Sequence, residues 1–338
     1  MVTEQEVRES LKGVLVPEVK RSLVMLNLVR GVTISGKRVN ITLASTALAE
    51  EIQDWIRTET KAVVGKLPKV SEVEVEFTQV KPSELNQFGH ILAVMSGKGG
   101  VGKSLIAGLT SVALKRQGYE VGILDADITG PSIPKMFGIT TRPSGNDTGI
   151  LPVISKSGIE IMSINLLLPS EDDAVIWRGP LISKAITQFW EDVLWGKLDY
   201  LVVDLPPGTA DAALTVTQTL PISGIIITFT PQDLTTMIVR KAISMARQMD
   251  KPILGVVENM SYLYVPEIDK RIELFGKSKG EEMAKAARAP LLGQLPIDPE
   301  LARLCDEGTI ERYNSDAFAA MTQTLTRTLS QTMSAKAK

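Results

Sequence analysis

The stretch that most constrains this chain is "HILAVMSGKGGVGKSLIAGLTSVALKRQG", residues 90–118. A short apolar segment gives way to a glycine-rich turn and then to an apolar-periodic stretch of helical type. Residues Gly97 to Ser104, "GKGGVGKS", fit G-x-x-x-x-G-K-[ST] directly after a predicted strand and before a predicted helix. Glycines let successive backbone N–H groups turn inward around phosphate oxygens, and the helix N-terminus adds partial positive charge. On this reading Gly97, Lys98, Gly99, Gly100, Val101, Gly102, Lys103, Ser104 and Leu105 form a nucleotide cradle. Lys103 is expected to reach the β- and γ-phosphates, and Ser104 to bind Mg²⁺. The loop holds a second lysine, Lys98, which a minimal phosphate loop does not need.

The remainder of the chain supplies a frame for such a loop. Short apolar strand candidates, "HILAVMS", "EVGILDAD", "GIEIMSIN", "YLVVDLP", "GIIITFTP", "PILGVVEN" and "PLLGQLP", alternate with helical stretches. That alternation predicts an α/β fold, a mostly parallel sheet of the P-loop NTPase kind covered by helices on both faces. A small α/β domain is expected over residues 1–80, then a polar linker over 81–89, "KPSELNQFG", and the sheet-bearing domain over 90–338. Within the small domain "VPEVKRSLVMLNLV" (16–29) reads as a helix with proline in its first turn. "GVTISGKRVNITLA" reads as a hairpin turning at Ser35-Gly36-Lys37. The following helix places Leu48, Ile52, Trp55, Ile56 and Val63 on one face, and "SEVEVEFTQV" alternates as a strand.

Two acidic segments are placed to serve the loop. "ILDADITGPS" brings Asp125 and Asp127 to the end of a strand, where ligands of open α/β sheets collect. "YLVVDLPPGTAD" closes a buried apolar run with Asp204, the position expected of a carboxylate beside Mg²⁺. Asn259 in "VVENMS" follows another strand, where its amide could read the edge of a purine ring. Composition limits the partners. Net charge is −2, which argues against general affinity for nucleic acid or an anionic membrane. There is one cysteine, Cys305, so no intrachain disulfide can form. No apolar run spans a bilayer and "MVTEQEVRES" lacks the basic-then-apolar pattern of a signal peptide, so the expected location is cytoplasmic. The last helix candidate puts Phe318, Met321, Leu325 and Leu329 on one face with little basic charge opposite, which favours core packing over membrane binding.

"KGGVGKS", "DADITGPSIPKMFG", "WRGP", "VVDLPPGTAD", "TPQDLTTMIVRKAI", "VENMSY" and "LFGKSKGEEMA" together resemble the Mrp/ApbC ATPases. These are deviant-Walker enzymes related to MinD and ParA, and the likeness covers about residues 90–330. The first 80 residues resemble the iron–sulfur-assembly-associated domain often fused before them. The resemblance implies ATP and Mg²⁺ as cofactors, a homodimer, and service to apo iron–sulfur proteins or an assembly scaffold. It implies catalytic roles for Lys98, Lys103 and Asp127 and a metal role for Ser104, Asp127 and Asp204. Lys98 matches the lysine that in these relatives reaches across a nucleotide-sandwich dimer to the partner's phosphates.

The resemblance also implies an iron–sulfur cluster held by a C-x-x-C pair from each subunit, shortly after the segment matched by "VENMSY". Here "VENMSYLYVPEIDKRIELFG" has Val265 and Ile268 at those places, and neither side chain can ligate iron. Glu267 and Asp269 are hard oxygen donors, poorly suited to a sulfide cluster. Cys305 reads as a small core residue and the single histidine, His90, as structural. The ATPase is thus expected to act in iron–sulfur cluster assembly or transfer. The alternatives are a nucleotide-switched scaffold without its own cluster and a positioning ATPase of the MinD/ParA kind.

Overall fold

The structure, a computed structural model, describes residues 2–127, 130, 132–167, 179–208 and 211–336. The segment "WRGP" loses Trp177 and Arg178 to this boundary, and Ile128, Thr129, Pro131, Thr209 and Ala210 of the acidic motifs also lie outside the described residues.

The chain divides into two compact units. The first comprises Met1–Phe88, Arg142–Ile154 and Thr187–Leu198. Its sheet is built from β1 (Val29–Ser35), β2 (Arg38–Ala44) and β3 (Glu72–Thr78), with α1 (Glu4–Ser10) ahead of it and α2 (Glu50–Val64) between β2 and β3. Ser35 pairs with Arg38 across the expected hairpin, and β3 adds parallel to β2. The two later stretches join because their apolar residues complete this core: Leu151 and Leu194 are fully buried among Leu23, Leu26, Ile41 and Leu43. The side chain of Asn86 fixes the second of them by accepting from the backbone N–H groups of Trp195 (2.8 Å) and Gly196 (3.0 Å).

The helix expected over residues 16–29 does not form. Lys20 and Asn27 take φ of +52° and +58°, which interrupts any right-handed helix. The segment instead makes separate turns and a two-residue antiparallel bridge, Leu15–Val16 with Arg21–Ser22. Val16, Val19, Leu23, Leu26 and Leu28 are all buried by these turns, so their spacing reflects a folded-over loop. In α2 the buried face is narrower than the sequence suggests: Ile56, Thr60 and Val64 are inside, and Trp55 is 40% exposed.

The second unit comprises Gly89–Thr141, Ser155–Ile186 and Asp199–Lys338. All seven apolar runs become strands: β4 (Gln87–Ser96), β5 (Val121–Asp125), β6 (Glu160–Ser163), β7 (Lys197–Asp204), β8 (Gly224–Phe229), β9 (Ile253–Glu258) and β10 (Leu291–Gln294). They lie in the order β6-β5-β7-β4-β8-β9-β10. The pairs β6–β5, β5–β7, β4–β8, β8–β9 and β9–β10 are all parallel. The chain moves outward from β4 on one side through β5 and β6, then returns to fill β7 and β8 on either side of it. That reversal opens a crevice beyond the carboxyl ends of the central strands. α3 (Lys103–Arg116) follows β4 and is buried along much of its length. The terminal helix (Asp316–Lys336) buries Phe318, Met321, Leu325 and Leu329 in the same core as Ile106, Val112 and Leu292. Its apolar face is therefore core. No described helix is long and apolar enough to cross a membrane.

Candidate functional site

The loop between β4 and α3 is shaped by two close approaches. Gly97 lies against the helix α4 that spans Asp233–Gln248, where a methyl group would fall 2.3 Å from Ile238 Cγ2 and 2.7 Å from its carbonyl oxygen. Gly102 has φ of +81° and faces the Asn259 amide, so a side chain there is excluded by both backbone and space. Asn259 Nδ2 donates to the Val101 carbonyl at 3.0 Å. The amide expected to read a purine edge therefore braces the loop in this structure.

Lys103 opens α3, and its side chain is only 5% exposed. Its Nζ donates to Asp204 Oδ1 at 2.6 Å, lies 3.4 Å from Asp127 Oδ2, and donates to Ser104 Oγ at 3.3 Å. The sheet brings these groups together because Ala126 N–H donates to the Asp204 carbonyl (3.0 Å), setting the ends of β5 and β7 side by side. A buried ammonium shared by two carboxylates can exchange one of them for a phosphate oxygen at small cost, because a charge partner is present before and after. Burial pushes the Asp204 carboxyl above its ordinary range, opposed chiefly by Lys103. Its Oδ2 is buried and accepts no hydrogen bond, a spare anionic oxygen inside the site.

Asp125 sits beneath this group, fully buried. Its carboxyl accepts from Asp127 N–H (3.2 Å), Ile133 N–H (3.4 Å) and Ser163 Oγ (3.2 Å), tying the turn after β5 to β6. Burial first, and the Asp204 charge second, push it well above its ordinary value. Lys98 stands apart from these acids, its Nζ donating to Gln232 Oε1 at 2.6 Å. The oxygens present fit a Mg²⁺ ion: a hydroxyl (Ser104), a free buried carboxylate oxygen (Asp204) and a second carboxylate (Asp127), all hard donors.

The segment expected to carry thiolates is an exposed hairpin, Leu263–Val265 paired with Lys270–Ile272. Val265 ends its first strand and Ile268, at the tip, is 57% exposed. Asp269 accepts from the Tyr264 hydroxyl at 2.8 Å. Among the described residues no group of three or more His, Cys, Asp or Glu side chains is placed to hold a metal ion. Cys305, in the helix Pro299–Asp306, packs half-buried against the core, and burial pushes its thiol up to about 11. His90 packs against Tyr200 with the rings tilted by 38° and their centroids 5.5 Å apart.

Sequence reasoning missed Glu258, the last residue of β9. It is fully buried and accepts from Ser261 Oγ (2.7 Å), Ser278 Oγ (2.7 Å), Lys279 N–H (2.6 Å) and Gln294 Nε2 (2.8 Å). Its signal was present, since "PILGVVEN" closes an apolar run on an acid just as "YLVVDLP" does. Gln232 was missed as well, and only its place beside a helix start marks it.

A glycine loop feeding a helix at the carboxyl edge of a parallel sheet, with a buried lysine between two aspartates, defines a P-loop NTPase. The chain belongs to the family described as NUBPL iron-transfer P-loop NTPases, matched over residues 87–330, and it is an ATPase of that class. Residues 4–77 match a second family, described as iron–sulfur cluster assembly protein. Curated relatives match across both units. The "Iron-sulfur cluster carrier protein" of Aquifex aeolicus is 37% identical, covering 98% of this chain and 99% of its own. The protein of the same name from Synechocystis is 40% identical over 91% of each. Among solved structures, a nucleotide-binding protein from Archaeoglobus fulgidus in complex with ADP is 45% identical, with TM-score 0.62 over 68% of this chain and 91% of its own. MinD of Aquifex aeolicus, 18% identical with TM-score 0.51, shares the fold.

Proposed function

We propose that this ATPase is a Mg²⁺-dependent homodimer that serves iron–sulfur protein maturation in the cytoplasm, with residues 1–80 as its assembly-associated domain, 81–89 as linker and 90–338 as the ATPase. The observation that carries the reading is the buried Lys103 ion pair with Asp204 and Asp127 at the mouth of the glycine loop. Lys103 holds the β- and γ-phosphates. Asp127 orients the attacking water or supports the metal, and Lys98 of the partner subunit meets the charge that develops on the γ-phosphate. Mg²⁺, when bound by Ser104 and Asp204 with Asp127 nearby, neutralises phosphate charge. The relatives named cluster carriers point to the client class. Val265 and Ile268 favour one version of it, a nucleotide-switched scaffold that uses thiolates of another protein. The test is sedimentation and turnover of parent and Lys98→Ala protein with a non-hydrolysable ATP analogue and with ATP. ATP-dependent dimerisation and hydrolysis should both fall in the variant while nucleotide binding by the monomer persists. Unchanged dimer fraction and turnover would remove the trans role.

A further inference from the structure

The two lysines of the loop are held in different ways. Lys103 is buried and touches two carboxylates. Lys98 is half-buried, its carbonyl accepts from Ser96 Oγ at 2.9 Å, and its ammonium donates at 2.6 Å to the side-chain oxygen of Gln232. Gln232 directly precedes α4, with φ −59° and ψ 138°. The same helix presses Ile238 onto Gly97. Two consecutive loop residues, 97 and 98, are thus seated on the start of one helix, which limits where the Lys98 side chain can point.

The acceptor is neutral, and that is the informative feature. A carboxylate at this distance would hold the ammonium and also cancel its charge. An amide oxygen directs the ammonium and leaves the full positive charge available to an incoming anion. Phosphate oxygens then outcompete the amide easily, as charged acceptors form the stronger bond.

We propose that Gln232 is the positioning residue of Lys98, holding it oriented and still charged until the phosphates of a nucleoside triphosphate draw it away. This rests on the reading of Lys98 as a phosphate-facing cation. Gln232 itself touches no reacting atom. The identity of the side chain at 232 should therefore matter through Lys98 and through nothing else.

The experiment is a double-mutant cycle on the full chain, measuring kcat and KM for Mg-ATP in the parent, Lys98→Ala, Gln232→Glu, Gln232→Met and the Lys98→Ala/Gln232→Glu double variant. Gln232→Glu is nearly isosteric but pins the lysine, and it should lower kcat by roughly tenfold while KM moves less than about threefold. Gln232→Met keeps the stem and loses the oxygen, so its loss should be smaller, about threefold. In the Lys98→Ala background Gln232→Glu should have no further effect. Full activity of Gln232→Glu, or the same loss with and without Lys98, overturns the proposal. Parent-level turnover of Lys98→Ala alone would instead overturn the reading beneath it. Thermal melts of each variant separate these results from loss of fold, and the Met variant keeps the test valid should the Glu variant unfold.

Discussion

β7 and β9 end alike in sequence, each an apolar run closed by a fully buried acid, Asp204 and Glu258. Their surroundings differ. Glu258 is saturated by neutral donors: Lys279 N–H on one oxygen, and Ser261, Ser278 and Gln294 on the other. Asp204 has a lysine on one oxygen and no hydrogen bond on the other. A saturated carboxylate can only hold structure, whereas one with spare capacity is ready for a ligand. Glu258 fixes the loop before the helix Gly280–Ala287, beside the exposed hairpin. At β7 the acid thus keeps an oxygen open to a ligand, whereas at β9 it holds a loop next to an exposed hairpin whose donors, Glu267 and Asp269, are oxygens poorly suited to a sulfide cluster.

The largest expected effect tests the first half of this contrast. Lys103→Ala should lower ATP turnover by about 10²–10³-fold, the scale of losing one preorganised cation at a developing charge. Turnover at the parent rate in a steady-state phosphate-release assay would break the assignment. The second half is tested by Glu258→Ala. It removes the acceptor of two hydroxyls and a backbone N–H, and one of the two acceptors of the Gln294 amide, and should cost about 3 kcal/mol in urea unfolding. Glu258→Gln retains an oxygen and should cost less. If Glu258→Ala proved as stable as the parent yet inactive, Glu258 would belong to the chemistry and the contrast would fail.

These two acids also mark the limit of what the residues alone reveal. The glycine loop, Lys103, Ser104 and the seven strands were legible because each rests on local pattern: a fixed spacing, or an apolar run of strand length. Asp204 and Glu258 share one pattern, and only the neighbours brought by the fold, Lys103 in one case and Ser278 with Gln294 in the other, tell them apart. The same holds for Asn259, whose amide is set against a loop carbonyl more than 150 residues away in sequence. The helix expected over residues 16–29 failed for a related reason. Apolar spacing there is satisfied equally by turns, and the positive φ of Lys20 and Asn27 is invisible to periodicity. The membership of Arg142–Ile154 and Thr187–Leu198 in the first unit is likewise decided by burial of Leu151 and Leu194, a tertiary matter.

The hairpin offers a way to sharpen the contrast. The parent protein, reconstituted anaerobically with iron and sulfide, should not carry a four-iron cluster through gel filtration, because a symmetric dimer supplies only two thiolates, both from Cys305. Val265→Cys combined with Ile268→Cys should raise iron retained per dimer several-fold if the tip still presents its side chains to a second subunit. A tightly held cluster in the parent, lost in Cys305→Ser, would make Cys305 a ligand and erase the distinction between the two ends. No retention in either protein would weaken the carrier reading and leave the scaffold.

Cys305 carries the smallest effect. Burial, with Asp306 beside it, raises its thiol from an ordinary value near 9.0 to about 11. The folded chain therefore holds this proton more tightly than the unfolded chain. The resulting stability is fully present below about pH 9 and is lost as pH rises through about 11. With the thiol only half-buried, solvent screening trims the contribution to about 1 kcal/mol. Parent and Cys305→Ser share every other titratable group, so the informative quantity is the difference between them in urea stability. That difference should be flat from pH 7 to pH 9 and should turn against the parent above it. A parent that instead gains on the variant with rising pH would hold a thiolate, the form that binds metal, and Cys305 would then join the chemistry.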